Sequence, residues 1–208
     1  MSLELTQVDT VVAGRFNPHI INPLWLVKQG IVEGEEEAKY KGTVDISDRE
    51  TRFGFEIGGY EWQVSNHRLV VRSPSCEDPG PVVRKVLKDL PHTPIRALGH
   101  NFTYESPLSE WSVGLPQLGA LSAERFREHF KLRQAEWGVS LGCDDGVTLN
   151  VRVSVDESSA AISFNFHREV SSAEGASECT QQFEADLRCS RGFLDDLLSQ
   201  EVDGELHA

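Results

Sequence analysis

The chain has 208 residues, with 20 Lys plus Arg against 33 Asp plus Glu, for a formal net charge of −13. Such a surface repels phosphates on average, so neither a long basic footprint for nucleic acid nor a nucleic-acid partner is expected, and only a local contact stays open. An apolar fraction of 39 % with 25 % charged residues is ordinary for a globular chain that buries a sizeable core, and disorder is not the default.

The start, MSLELTQVDT, has no basic region leading into an apolar stretch. No window reaches the roughly 18 to 20 apolar residues that span a bilayer. A cytoplasmic location without membrane contact is the expectation. Cys76, Cys143, Cys179 and Cys189 lie far apart without a Cys-x-x-Cys pair, so reduced thiols are expected, with neither a disulfide framework nor structural zinc. Asn101-Phe102-Thr103 matches a glycosylation tripeptide but lacks the secretory context that would give it meaning.

In chain order, Val8 to Phe16 reads as a strand that stops at Asn17-Pro18. Asn22-Pro23 through Gly30 carries a helix-capping Asn, a Pro suited to the first helical position and a Gly suited to the end, which predicts a two-turn helix. Glu33 to Glu37 reads as a solvated acidic loop. Strands then follow at Gly42–Ile46, Thr51–Ile57, Trp62–Val64 and Leu69–Val71, with turn chemistry at Gly58-Gly59 and Ser65-Asn66-His67, predicting an antiparallel meander. Val82, Val83, Val86, Leu87 and Leu90 form a stripe at helical spacing, ended by Pro91 and Pro94, and Ile95 to Tyr104 returns as a strand.

In the second half, Ser122 caps a predicted helix to about Trp137, with Phe126, Phe130 and Trp137 inward. Asp144-Asp145-Gly146 reads as a turn. Val147, Leu149, Val151, Val153 and Val155 alternate with polar residues, turn at Asp156 to Ser159, and continue as Ile162, Phe164 and Phe166, a C-terminal hairpin. Ser171 to Ser177 is expected to be a mobile loop. Glu178 to Glu201 fits either period: Phe183, Ala185, Leu187 and Cys189 alternate like a strand, whereas Phe183, Leu187, Leu194, Leu197 and Leu198 fit a helix face, favoured from Gly192 onward. The expected fold is α+β, antiparallel sheets (meander plus C-terminal hairpin) covered by a few helices. Residues 1–208 form one compact domain, with room for two sub-structures, 1–106 and 107–208, that share a core.

Chemistry is weakly marked. On the strand from Ile95, spacing puts Arg96, Leu98, His100, Phe102 and Tyr104 on one face and Ala97, Gly99, Asn101 and Thr103 on the other, and Gly99 would admit a neighbouring backbone. His100 as a general base with Asn101 as an orienting group is the enzymatic candidate, but no nucleophile motif completes it. His129, Cys143, Asp144, Asp145 and His167 have metal-binding side chains without a spacing that joins them, so no metal and no cofactor is expected. Phosphate loops, dinucleotide fingerprints, nucleophile elbows and zinc-protease helices are missing from the sequence.

Apolar crowding is the stronger signal. A two-turn helix cannot bury Leu24, Trp25, Leu26 and Val27 on one side, so part of Phe16 to Val27 is expected to meet another surface, either a neighbouring loop or the meander of the same chain, or a partner. The partner-binding candidates are Phe16, Ile20, Leu24, Trp25 and, in the connection, Trp111.

The first-half order, with the Phe53 to Val71 strands, the Val82 to Leu90 helix and Ile95-Arg96-Ala97-Leu98-Gly99-His100-Asn101-Phe102-Thr103-Tyr104, resembles a sporadically distributed, uncharacterised prokaryotic family. That layout is similar in broad design to SecB-type chaperone folds, which set an antiparallel sheet against helices and assemble through sheet edges. The resemblance implies a bacterial or phage-related binding protein that self-associates, and it assigns no functional residue. The expected function is a non-catalytic protein-binding or assembly subunit, chaperone-like or part of a defence or phage-related complex, whose partner is a protein, itself included as a homo-oligomer. A small hydrolase using His100 and Asn101, and an acidic mimic of nucleic acid, are the alternatives.

Overall fold

A computed structural model gives the protein's structure over residues 3–34, 40–47, 50–110, 134–143, 146–156 and 158–199. Its strands are β1 (Glu4–Gly14), β2 (Gly42–Ile46), β3 (Thr51–Ile57), β4 (Tyr60–Ser65), β5 (Arg68–Ser73), β6 (Ile95–Pro107), β7 (Gln134–Gly142), β8 (Val147–Asp156) and β9 (Ser159–Glu169). They form one antiparallel sheet in the order β2-β3-β4-β5-β1-β6-β9-β8-β7. The expected arrangement of a meander plus a separate hairpin is corrected here. β2–β5 is the meander and β8–β9 the hairpin, but β1 pairs with both β5 and β6, and β6 with β9, which welds them into a single sheet. Alternation in a sequence fixes which face a side chain takes, not which distant strand lies alongside.

Local chemistry explains the elements that were legible. Gly58 and Gly59 both take positive φ, at 63° and 80°, the conformation that a two-residue hairpin turn of the β3–β4 kind requires. The short helix α1 (Pro23–Lys28) opens with Asn22, whose side chain accepts from the Trp25 amide at 3.0 Å, and Gly30 follows it at φ 63°.

Helices cover one face of the sheet. α2 (Gly80–Asp89) buries Val82, Val83, Val86 and Leu87, as its stripe predicts. α3 (Ala173–Cys179) replaces the loop expected at Ser171 to Ser177: Ser172 caps it by accepting from the Gly175 amide at 3.0 Å, and the small buried Ala173 and Ala176 let it sit close against α2. A 3-10 turn at Thr180–Gln182 leads into α4 (Phe183–Ser199). As far as Ser199 the ambiguous segment is therefore helical. Phe183, Leu187, Ser190 and Leu194 are buried at helical spacing, whereas Ala185 and Cys189, which strand alternation would bury, are exposed. The helix expected to reach Trp137 is corrected too, because Gln134–Gly142 is a strand zipped onto β8. The rest of that expectation, with Trp111, Ser122, Phe126, His129 and Phe130, lies outside the described residues, as do Glu35 to Glu37 and the Asp144-Asp145 turn.

Between helices and sheet lie two apolar clusters. One gathers Val12, Leu26, Trp62, Leu69, Val83 and Leu98, the other Val8, Phe102, Val151, Phe164, Phe183 and Leu194. β1 and β6 supply residues to both, so the clusters divide along the length of these two central strands. No described helix is long and apolar enough to cross a membrane.

Candidate functional site

The end of the sheet at β2 carries the two most exposed large apolar side chains among the described residues, Val44 and Ile46. All five residues of β2 are exposed, and no described residue pairs with its outer edge. Register with β3 sets Val44 opposite Phe53 and Ile46 opposite Thr51, on the face that bears the helices. The helices stop short of this corner, and Val44 and Ile46 remain 56 % and 73 % exposed. α1 contacts β3 from the same side, and the His19 ring meets the Phe53 ring edge-on at 5.5 Å. Ile20 and Leu24 are also exposed, at 41 % and 40 %, and Ile20 lines a separate hollow with Leu90, Pro91 and Pro94.

The apolar crowding of Phe16 to Val27 is thus divided. Phe16 is 6 % exposed and lies in the core beside Leu26, which corrects its place among surfaces available to a partner. Trp25 and Val27 are half-buried against the same core. Ile20 and Leu24 face outward. Trp111 lies outside the described residues. Val44 and Ile46, the most exposed members, were unmarked as binding residues in the sequence. Only their position on an edge strand exposes them, and an edge is a property of the whole sheet.

On the opposite face of β2, Asp45 sits across from Arg52, whose guanidinium is held by Glu50 at 3.0 Å. An open hollow of about 690 Å³ adjoins this corner, with Gly54 as its floor and Lys41, Thr43, Glu56, Glu61 and Arg72 around it. Glu56 and Glu61 balance Lys41 and Arg72 in its lining, and Asp45 on β2 is an exposed carboxylate.

The enzymatic candidates do not converge. His100 is fully buried beneath α4, on the helix-covered face. Its Nδ1 lies 2.7 Å from Asp186 Oδ2, and Arg168 grips the same carboxylate through two contacts of 2.7 and 2.6 Å. Burial pushes the Asp186 carboxyl up, but the hydrogen bonds from His100 and Arg168 and the guanidinium charge outweigh it and hold the group below its ordinary range. An ionised carboxylate only accepts, so His100 Nδ1 donates. Phe183 closes over the imidazole edge-on at 5.6 Å, and Tyr104 and Ser190 hydroxyls meet at 2.8 Å, also beneath α4. This cluster fastens a helix to the sheet.

Asn101 points the other way, as strand spacing requires, into a polar row across the open face. Strand register aligns Asp9, Asn101, Asn165 and Asn150 on β1, β6, β9 and β8. Asn101 Nδ2 donates to Asp9, Asn165 Nδ2 to Asn101 at 2.6 Å, and Asn150 Nδ2 to Asn165 at 3.1 Å. Gly99 makes room for this row: a Cβ there would lie 2.9 Å from the Asn165 amide nitrogen, so the close approach predicted at Gly99 is made by a side chain and not a backbone. Asp9 is 4 % exposed, and burial raises its pKa against the lowering hydrogen bonds of Asn101 and Gln7 and the charges of Arg72 and Arg68. No cluster of potential metal ligands occurs among the described residues.

No family model matches this chain, and no curated protein matches it.

Proposed function

We propose that the protein is a non-catalytic binding subunit that accepts an extended segment of another protein as an added strand on the free edge of β2. Main-chain hydrogen bonds from such a strand give affinity, and alternate side chains give selectivity. The observation that carries this reading is the exposure of Val44 and Ile46, 56 % and 73 %, on a strand whose outer edge meets no described residue.

The chemistry of the partner follows from the pattern. Side chains opposite Val44 and Ile46 would be apolar. The side chain opposite Asp45 would be basic, because opposite charges directly across a ladder are favourable and like charges are not. The preferred segment therefore reads apolar, basic, apolar. The net charge of −13 steers a basic segment toward the protein in the same sense. A grip of this kind suits a chaperone-like holder of unfolded chains or a contact within a larger assembly.

The test is fluorescence anisotropy with a synthetic ten-residue peptide alternating Val with Lys, against a control with Glu in place of Lys. The Lys peptide should bind better. Ile46→Lys should weaken it by about tenfold, in keeping with the burial of one aliphatic side chain, and Asp45→Lys should reverse the preference between the peptides. Equal binding of both peptides, or indifference to Ile46→Lys, would exclude the β2 edge.

A further inference from the structure

The other free edge, β7, has a different character. Its nine residues include one charge, Glu136, already paired with Arg152 at 2.9 Å. It has no Lys, Arg or Pro of the kind that usually guards an exposed edge. Register with β8 sets Trp137, Val139 and Leu141 opposite Val153, Val151 and Leu149, on the helix-bearing face. Val139 and Leu141 remain 41 % and 40 % exposed, and no described residue pairs with the outer edge.

We infer that β7 pairs antiparallel with β7 of a second copy of this chain, about a two-fold axis perpendicular to the sheet, joining two nine-stranded sheets into one. Such an axis keeps the helix layers of both copies on one side, so apolar residues meet apolar and polar meet polar. With the axis at Gly138, Trp137 lies opposite Val139 of the second copy and Glu136 opposite Ser140. No like charges meet, and no bulky side chain stands on the axis.

The same operation fails at β2. To set Val44 against Ile46 of a second copy, the axis must pass through Asp45, which opposes the two Asp45 carboxylates directly. Moving it to Val44 removes the clash but leaves Ile46 facing Gly42. β7 is therefore compatible with its own copy, and β2 is selective against it. This inference uses the opposite end of the sheet and does not rest on the β2 reading.

Multi-angle light scattering of the full chain, at concentrations up to roughly 100 µM to include a weak interface, tests it. The wild type should run at twice the 23.2 kDa of one chain. Val139→Glu and Val139→Lys should each run as monomers with an unchanged circular dichroism spectrum, and an equimolar mixture of the two should recover the doubled mass. Misfolding cannot produce that recovery. Leu141→Lys provides a second disruption, and Ile46→Lys should leave the dimer intact. A monomeric wild type, or a Val139→Glu protein that keeps the doubled mass, overturns the inference. So does open-ended growth with concentration that Ile46→Lys abolishes, since that would be β7 joined to β2 head to tail.

Discussion

Asp186 on α4 and His100 on β6, 86 positions apart in the chain, are joined by a hydrogen bond of 2.7 Å in a place closed to solvent. Arg168 holds the second carboxylate oxygen at 2.6 Å, so one acidic side chain ties a helix to two neighbouring strands. Breaking a buried pair by removing one member strands the other, at a cost of about 3 to 5 kcal/mol. Asp186→Ala should therefore lower the urea midpoint strongly without changing the slope, because the carboxylate that joins His100 and Arg168 to α4 is removed. A midpoint within error of wild type would show that α4 docks through its apolar contacts alone.

Acid titration should show two opposed phases. The raised pKa values of Asp9 and Asp78, both caused chiefly by burial, mean that the folded state binds these protons more tightly than the unfolded chain does. Their charged forms cost stability at neutral pH, and that cost is relieved as pH falls through their folded pKa values, above the ordinary carboxylate range. Asp186 is lowered, so its contribution is present above the unfolded value and is lost as pH falls through its folded one. Asp156, brought to about 2 by the amides of Ser158 and Ser159, acts in the same direction. Stability measured by denaturant should rise slightly just above the ordinary carboxylate range and fall below it. Asp9→Asn should reduce the rise and leave the fall.

In the Phe16 to Leu24 segment, stability and surface role should separate. Phe16→Ala empties a core position and should cost about 3 to 5 kcal/mol. Leu24→Ser changes an exposed side chain and should stay within about 0.5 kcal/mol. Equal effects in thermal melts would mean that Leu24 is more enclosed than its 40 % exposure indicates.

The row on the open face gives a further measurement. Asn101→Ala removes a donor from the buried Asp9 and an acceptor from Asn165 at once, which should cost about 1 to 3 kcal/mol. It should also move the Asp9 titration to higher pH in carboxyl-resolved NMR, because burial then acts with less opposition. An unmoved Asp9 resonance would mean that Gln7 and Arg72 alone set its charge.

Several of these features were readable from residue order. The alternation of Val147 to Val155 marked β8, Asn22-Pro23 and Gly30 bracketed α1, and the valine stripe marked α2, because each signal is a local period or a local cap. Spacing also placed His100 and Asn101 on opposite faces. His100 finding Asp186 depended on a helix whose period was ambiguous in the sequence, and α3 was hidden because small, polar residues such as Ala173 and Ser177 look like loop until a neighbouring helix needs their small size.

Residue order by itself determined the charge, the strand faces and the turn at Gly58-Gly59. Tertiary structure alone decided that β1 and β6 would fuse two hairpin systems into one sheet, and that β2 and β7 would be its ends. The reason is physical: a side chain's face is set within its own strand, but whether a strand edge is free depends on every pairing in the sheet. Val44 and Val139 look in the sequence like any buried strand valine, and they are exposed because nothing described pairs with the outer edges of their strands.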